Sequence, residues 1–90
     1  MERVIAEIIE IRGEGRCSAG HRVGERLVFT KEKTPPLCPW ALGALLAPTA
    51  VLLNGGHFPW ARPDEPTLWC CPDPGNTVVF RLYREKGDSD

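Results

Sequence analysis

The sequence predicts a small α+β domain, and three observations lead there. Four stretches rich in β-branched and aromatic residues are bounded by glycine, proline or polar runs. A single long apolar segment without charge sits between the second and third of them, opened by a proline. The chain is also short: 90 residues make one domain, a size that buries only about 60–65% of its unfolded surface and gains from a metal or a partner subunit. Elements ordered ββαββ imply a four-stranded, mainly antiparallel sheet with one kinked helical segment packed on a face.

Residues 3 to 12, RVIAEIIEIR, form the first strand and end at Gly13 and Gly15. Glu7 and Glu10 fall on opposite parities, so a bulge or a frayed edge is expected there. Residues 25 to 30, ERLVFT, form a second short strand antiparallel to the first, and KEKTPP is a loop. Proline favours the first position of a helix, which makes Cys38, before Pro39, the N-cap of a helix through WALGALLA. Pro48 interrupts that helix. TAVLLNGG continues it with a kink or forms a second short helix, closed by Asn54 and the glycine pair. A third strand over Thr67 to Cys71 turns at PDPGN into a fourth, Thr77 to Tyr83. The domain is expected to span residues 1–84, with 85–90 a disordered, solvated tail.

Composition narrows function. Eleven Lys plus Arg against twelve Asp plus Glu supply no basic field for a phosphate backbone, so nucleic acid is not an expected partner. The N-terminal run carries charges, unlike a signal peptide, and Trp40 to Leu53 falls short of the roughly 20 residues of a membrane span. No membrane association and a cytoplasmic location are expected, and there four cysteines are reduced thiols before they are disulfides.

Cys17 with His21, Cys38, and Cys71 stand at three widely separated points of the chain, each among turn-forming residues. Three thiolates and an imidazole match the tetrahedral preference of zinc, with iron second. Each has a plainer reading: a C-x3-H spacing is short enough to arise by chance, and a thiol at a helix start is often simply buried. Cys38 has the further property that free N–H groups at a helix N-terminus favour a thiolate, which can ligate or attack. Cys70 and Cys71 project to opposite faces of a strand. Cys71, at the strand break before Pro72, repeats the Cys-Pro pair of Cys38 and is the one assigned to the site. Gly55, Gly56, Phe58 and Trp60 either wall a pocket beside the cysteines or, for the two aromatics, cap the core. His57 is an exposed loop residue, and Asp73 is an acid, a supporting acceptor or a turn former.

The motifs C-x-x-G-H, L-C-P, G-G-x-F-P-W and C-P-D, with the closing V-V-F-R strand, resemble those of a small uncharacterised prokaryotic family of about this length. The resemblance runs from Cys17 to Arg81. It implies that Cys17, Gly20, His21, Gly24, Cys38, Pro39, Gly55, Gly56, Phe58, Pro59, Trp60, Cys71, Pro72 and Asp73 are pattern positions, and it brings no activity.

Two functions follow. One is a metal-bearing or thiol-rich domain with a structural or interaction role, its wholly apolar helix burying a second face in a homo-oligomer or against a protein partner. The other is a small cysteine- or metal-dependent enzyme. There Cys38 would be nucleophile or open-site ligand, His21 general base and Asp73 a supporting acid, with the glycine-aromatic loop as cover.

Overall fold

A computed structural model describes residues 2–86. The chain runs β1 (Glu2–Ile11), β2 (Arg26–Phe29), α1 (Pro39–Leu53), β3 (Thr67–Cys70) and β4 (Val78–Lys86). The four strands form one antiparallel sheet in the order β2-β1-β4-β3. Two hairpin-like pairs, β1 with β2 and β3 with β4, are thus joined along the two longest strands. The helix carries the chain from the β2 edge to the β3 edge and packs on one face, as the ββαββ pattern predicts.

The parity conflict in β1 resolves as a bulge. Ile8 pairs with Phe80 and Glu10 with Val79, leaving Ile9 as the extra residue. Val4, Ala6 and Ile8 therefore face the helix before the bulge and Ile11 after it, while Glu7 and Glu10 both reach the opposite face. On the helix side, Phe29, Leu45, Phe80 and Leu82 are at most 1% exposed and share a core with Leu27, Ala41, Leu52 and Phe58. The opposite face has no helix. Cross-strand ion pairs cover it instead: Arg3 with Glu85 at 2.7 Å, Arg81 with Glu7 at 2.8 Å and Arg26 with Glu85 at 2.9 Å. Beneath this polar layer Ile5 is 1% exposed.

Of the alternatives at Pro48 the structure takes the continuous helix, its stop falls at the expected glycine pair, and one boundary, the end of β4, differs from expectation. The helix continues through Pro48 to Leu53 as one element, with Pro48 buried on the face that packs against the sheet. It stops where Gly55, at a φ of 79°, donates its N–H to the Leu52 carbonyl while the Gly56 N–H reaches the Val51 carbonyl. That pair of bonds is the Schellman motif. The difference is β4, which runs past Tyr83 to Lys86, so Glu85 and Lys86 belong to the sheet and not to the tail that begins at residue 85 by sequence. Glu85 is held there by Arg3 and Arg26. The remainder of the expected tail, residues 87–90, lies outside the described residues.

Arg84 ties β4 to the helix end. Its two terminal nitrogens donate to the carbonyls of Leu52, Gly56 and Pro63 at 3.1, 2.7 and 2.6 Å. A cation at a helix C-terminus meets carbonyls that lack helical donors. Arg84→Ala is expected to lower unfolding free energy by about 1.5–3 kcal/mol, the range for hydrogen bonds to a charged group. Arg84→Lys should recover only part, since one ammonium cannot span three carbonyls in a planar fork. Urea denaturation measures both.

A hydrogen bond from Arg3 holds the Glu85 carboxyl below its ordinary value of 4.5; desolvation, second in size, opposes it, and a hydrogen bond from Arg26 adds to it. A depressed native value means that the stabilisation is present above 4.5 and is lost as the pH falls through the native value. The stability gap between the natural chain and Glu85→Gln should therefore be open at neutral pH and close on acidification below 4.5. Parallel denaturation curves at several pH values test this.

Candidate functional site

The end of β1 sets up the site. Beyond Ile11 the Arg12 N–H donates to the Thr77 carbonyl at 2.8 Å, and the Glu14 N–H to Asn76 Oδ1 at 3.0 Å. These bonds dock the Gly13–Arg16 connection onto the turn between β3 and β4. Gly13 has a φ of 75°, and a side chain there would overlap the Gly75 carbonyl oxygen. Only glycine allows so close an approach. The chain then delivers Cys17, whose carbonyl accepts the Gly20 N–H at 2.9 Å to close a turn.

The β3–β4 turn supplies the second thiol. Trp69 pairs with Phe80 and Cys70 with Val79, so strand alternation sends Cys70 to the outer face and Cys71 inward. Cys70 is exposed and Cys71 is buried. Cys71 closes the hairpin by donating its N–H to the Val78 carbonyl at 3.0 Å, and its Sγ accepts the Val78 N–H at 3.2 Å. Asp73 Oδ1 accepts the N–H groups of Gly75 at 2.9 Å and Asn76 at 3.2 Å, which makes Asp73 the residue that shapes the turn.

The third thiol comes from the helix. Cys38 is the N-cap of α1, with Pro39 next to it, and its side chain makes no capping hydrogen bond. Its carbonyl accepts the Leu42 N–H at 2.9 Å, the first helical bond. The thiol is half-buried, packed against the edge of the core.

Cys17, Cys38 and Cys71 line a single cavity of about 290 Å³, walled further by Trp40, Pro72 and Pro74 and edged by Ser18, Asp73 and Asn76. Three segments distant in sequence thus bring their thiols to one place. The cavity is open to solvent. Trp40, two residues into α1 and 68% exposed, was not singled out as a site residue by sequence; its place directly after Cys38-Pro39 is the signal that could have found it. Among the described residues, no group of three or more His, Cys, Asp or Glu side chains is drawn together as a metal shell.

The other expected residues lie elsewhere. His21 does not line the cavity; its Nδ1 stands 3.3 Å from Glu25 Oε1, and Glu25 also accepts the Arg22 N–H at 2.6 Å. That carboxylate both closes the turn into β2 and orients the imidazole. The wall expected from Gly55, Gly56, Phe58 and Trp60 is likewise absent from the cavity. Gly55 and Gly56 close the C-terminal end of α1, which a helix of 15 residues sets about 22 Å from its start at 1.5 Å per residue, and Phe58 and Trp60, on the loop that follows, pack against Trp69 of β3. Phe58 is in the core, stacked on Trp60 at a centroid distance of 5.1 Å and tilted against Trp69 at 5.3 Å. His57 is exposed.

No family model matches the chain, and no solved structure matches it. Among curated proteins it is similar to a leucyl/phenylalanyl-tRNA–protein transferase of Desulforapulum autotrophicum, 38% identical over 64 residues. The match covers 64% of this chain and 27% of the transferase, so the chain spans about a quarter of the length of that relative. Among the described residues, no helix is long and apolar enough to cross a membrane.

Gly13→Ala and Gly15→Ala separate two costs at the docked connection. Both residues have positive φ, but only Gly13 meets the turn backbone. Gly15→Ala should cost about 1–2 kcal/mol from backbone strain alone, and Gly13→Ala distinctly more. Gly13→Ala should also change the rate at which Cys17 reacts with a thiol reagent, because the turn must shift. Thermal melts and reagent kinetics on the two variants check this.

Proposed function

We propose that this protein is a thiol-dependent binding domain whose Cys17, Cys38 and Cys71 capture a thiophilic metal ion, zinc before iron, as a structural and interaction module. The observation that carries the reading is the convergence of these three cysteines on one cavity from the connection after β1, the start of α1 and the β3–β4 turn. Borderline-soft ions select thiolates. Two local features support it: the Val78 N–H aimed at Cys71 Sγ favours an anionic sulfur, and the free N–H groups beside Cys38 have the same sense. Capture would draw the three sulfurs inward from their present spread and fasten three segments together, which suits a domain of this size. The exposed apolar side chains of Trp40, Leu46 and Val51 on α1 suit a homo-oligomeric contact or a protein partner.

A second reading, a small cysteine enzyme, is favoured by the uncapped Cys38 in an open cavity. Its base would not be His21 as oriented by Glu25, and Asp73 is engaged in its turn. The likeness to a transferase acting from leucyl/phenylalanyl-tRNA adds aminoacyl transfer to the chemistries in view. Against it, the chain's near-balanced charge offers no field for a tRNA backbone, so the binding reading stands first.

Zinc added to reduced, metal-free protein should bind at about one ion per chain and raise the melting temperature, because a bound ion contributes folding free energy. Cobalt in its place should give an intense sulfur-to-cobalt charge-transfer band. Cys17→Ser and Cys38→Ser should each weaken binding by about tenfold or more, whereas Cys70→Ser and His57→Ala should leave it unchanged. Metal content well below one ion per chain, with no charge-transfer band, removes the reading; rapid alkylation of Cys38 in that protein would move the enzyme forward.

A further inference from the structure

We infer that the outer face of α1 is the contact between two copies of this chain, with the two helices packed antiparallel about a two-fold axis at Ala47. No thiol and no metal ion takes part, so this contact stands apart from the thiolate reading above. Three observations lead to it: the lack of polar groups on that face, its shape, and the charges at its two ends.

At about 3.6 residues per turn, Trp40, Gly43, Leu46, Ala47, Ala50 and Val51 fall on one arc of α1, and all six are exposed. The opposite arc, with Ala41, Leu45, Pro48, Thr49 and Leu52, is buried. A surface helix ordinarily turns charged and polar side chains to water. This one turns an indole that is 68% exposed, with Leu46 at 46% and Val51 at 38%, and its outer arc holds no charge. The six residues present on the order of 500 Å², so a two-fold pair buries about 1,000 Å², the size at which specific interfaces begin. A foreign protein would need an uncharged face of the same outline; a second copy has one by symmetry.

Shape and charge set the orientation. An axis at Ala47 places residues equally distant from it opposite one another, so Gly43 faces Val51 of the second copy and Trp40 faces its Asn54. Nothing lies within 4 Å of the point a side chain at Gly43 would occupy, and that recess receives the valine, twice in each pair. Gly43, Ala47 and Val51, four residues apart, form a ridge of the commonest helix-packing class, and the two small members let the axes approach. The first turn of α1 has no acidic residue, so the partial positive charge of its free N–H groups meets no carboxylate there. Asp73, nearby, is committed to its own turn. At the other end Glu2 and Glu32 stand with Lys31 beside Leu53, a negative excess, and Arg84 is offset by Asp64 at 3.8 Å. Antiparallel packing brings those carboxylates to the helix start of the second copy and opposes the two macrodipoles, whereas a parallel pair sets like ends together.

Sedimentation equilibrium of the full-length, reduced, metal-free protein tests this, with circular dichroism and thermal melts to confirm that each variant is folded. The natural chain should pass from the mass of one copy to that of two as concentration rises through the micromolar range. Ala47→Glu should weaken association about tenfold or more, because two like charges meet on the axis, while the melt of the single chain is retained. Ala47→Lys should do the same, and an equimolar mixture of the two variants should associate again. Arg62→Glu, on the loop beyond the helix, should change nothing. Orientation is read from a second mixture: Gly43→Lys should associate with Val51→Glu but not with Gly43→Glu, since only antiparallel helices set Gly43 against Val51. A folded natural chain that keeps the mass of one copy at every concentration overturns the contact, whatever the variants do. Association untouched by Ala47→Glu removes α1 from it, and pairing of the two Gly43 variants in place of the Gly43 and Val51 pair overturns the antiparallel arrangement. Association should be equal with and without added zinc, so a failure here leaves the thiolate reading standing and a failure of that reading leaves this contact.

Discussion

The pairing of β1 with β4 runs from Glu2 opposite Lys86 to Ile11 opposite Val78, and it joins the two ends of the chain at the centre of the sheet. Each remaining strand hangs from one side of this ladder as the short partner of a hairpin. Non-local strand pairing must repay a large loop-closure cost before it rewards the chain. Two surfaces repay it here: the apolar row of Val4, Ala6, Ile8, Phe80 and Leu82 beneath the helix, and the ion pairs of Arg3, Glu7, Arg81 and Glu85 on the other side. The bulge at Ile9 lets one strand serve both faces although its sequence changes parity.

The register of that ladder decides where the thiols meet. Because Ile11 pairs with Val78, the chain leaving β1 runs directly beside the chain entering β4, and Gly13 lies against Gly75. Cys17 and Cys71 are brought to one neighbourhood by this juxtaposition, without attraction between them being required. The helix contributes Cys38 because its start stands at the same end of the sheet. Its other end is held by Arg84, which is on the inward-facing row of β4 with Phe80 and Leu82 and so reaches the helix carbonyls. One helix thus has a start at the thiol cavity and an end fastened by Arg84.

The aromatic residues serve two places in the fold. Phe58, stacked on Trp60 and tilted against Trp69, joins the core beside β3. Trp40 stands instead at the helix start, on the cavity that the three cysteines line. A small domain gains stability by closing its core with apolar groups, yet at the thiol end an open cavity is left between Cys38 and the β3–β4 turn. Unfilled space beside nucleophilic or ligating groups is better suited to holding a ligand than to packing.

Sequence by itself determined the local features, since each depends on residues within a few positions. Proline after Cys38 set the start of the helix, Asn54-Gly55-Gly56 its stop, the two glutamates of β1 a bulge or a frayed edge, and alternation at Cys70-Cys71 that only one of the two thiols turns inward. The four-stranded α+β plan followed from the spacing of these elements. Only the tertiary structure decided what depends on register and on the length of α1. It brought Cys17, Cys38 and Cys71 to one cavity, added Trp40 to them, gave His21 to Glu25, left Gly55 and Gly56 at the other end of α1 and packed Phe58 and Trp60 against Trp69. The physical reason is that sequence spacing reports reach, whereas a site requires direction. Whether a side chain reaches a given point is set by strand pairing across the whole sheet and by a helix about 22 Å long, and neither is encoded in the few residues around a cysteine or a histidine.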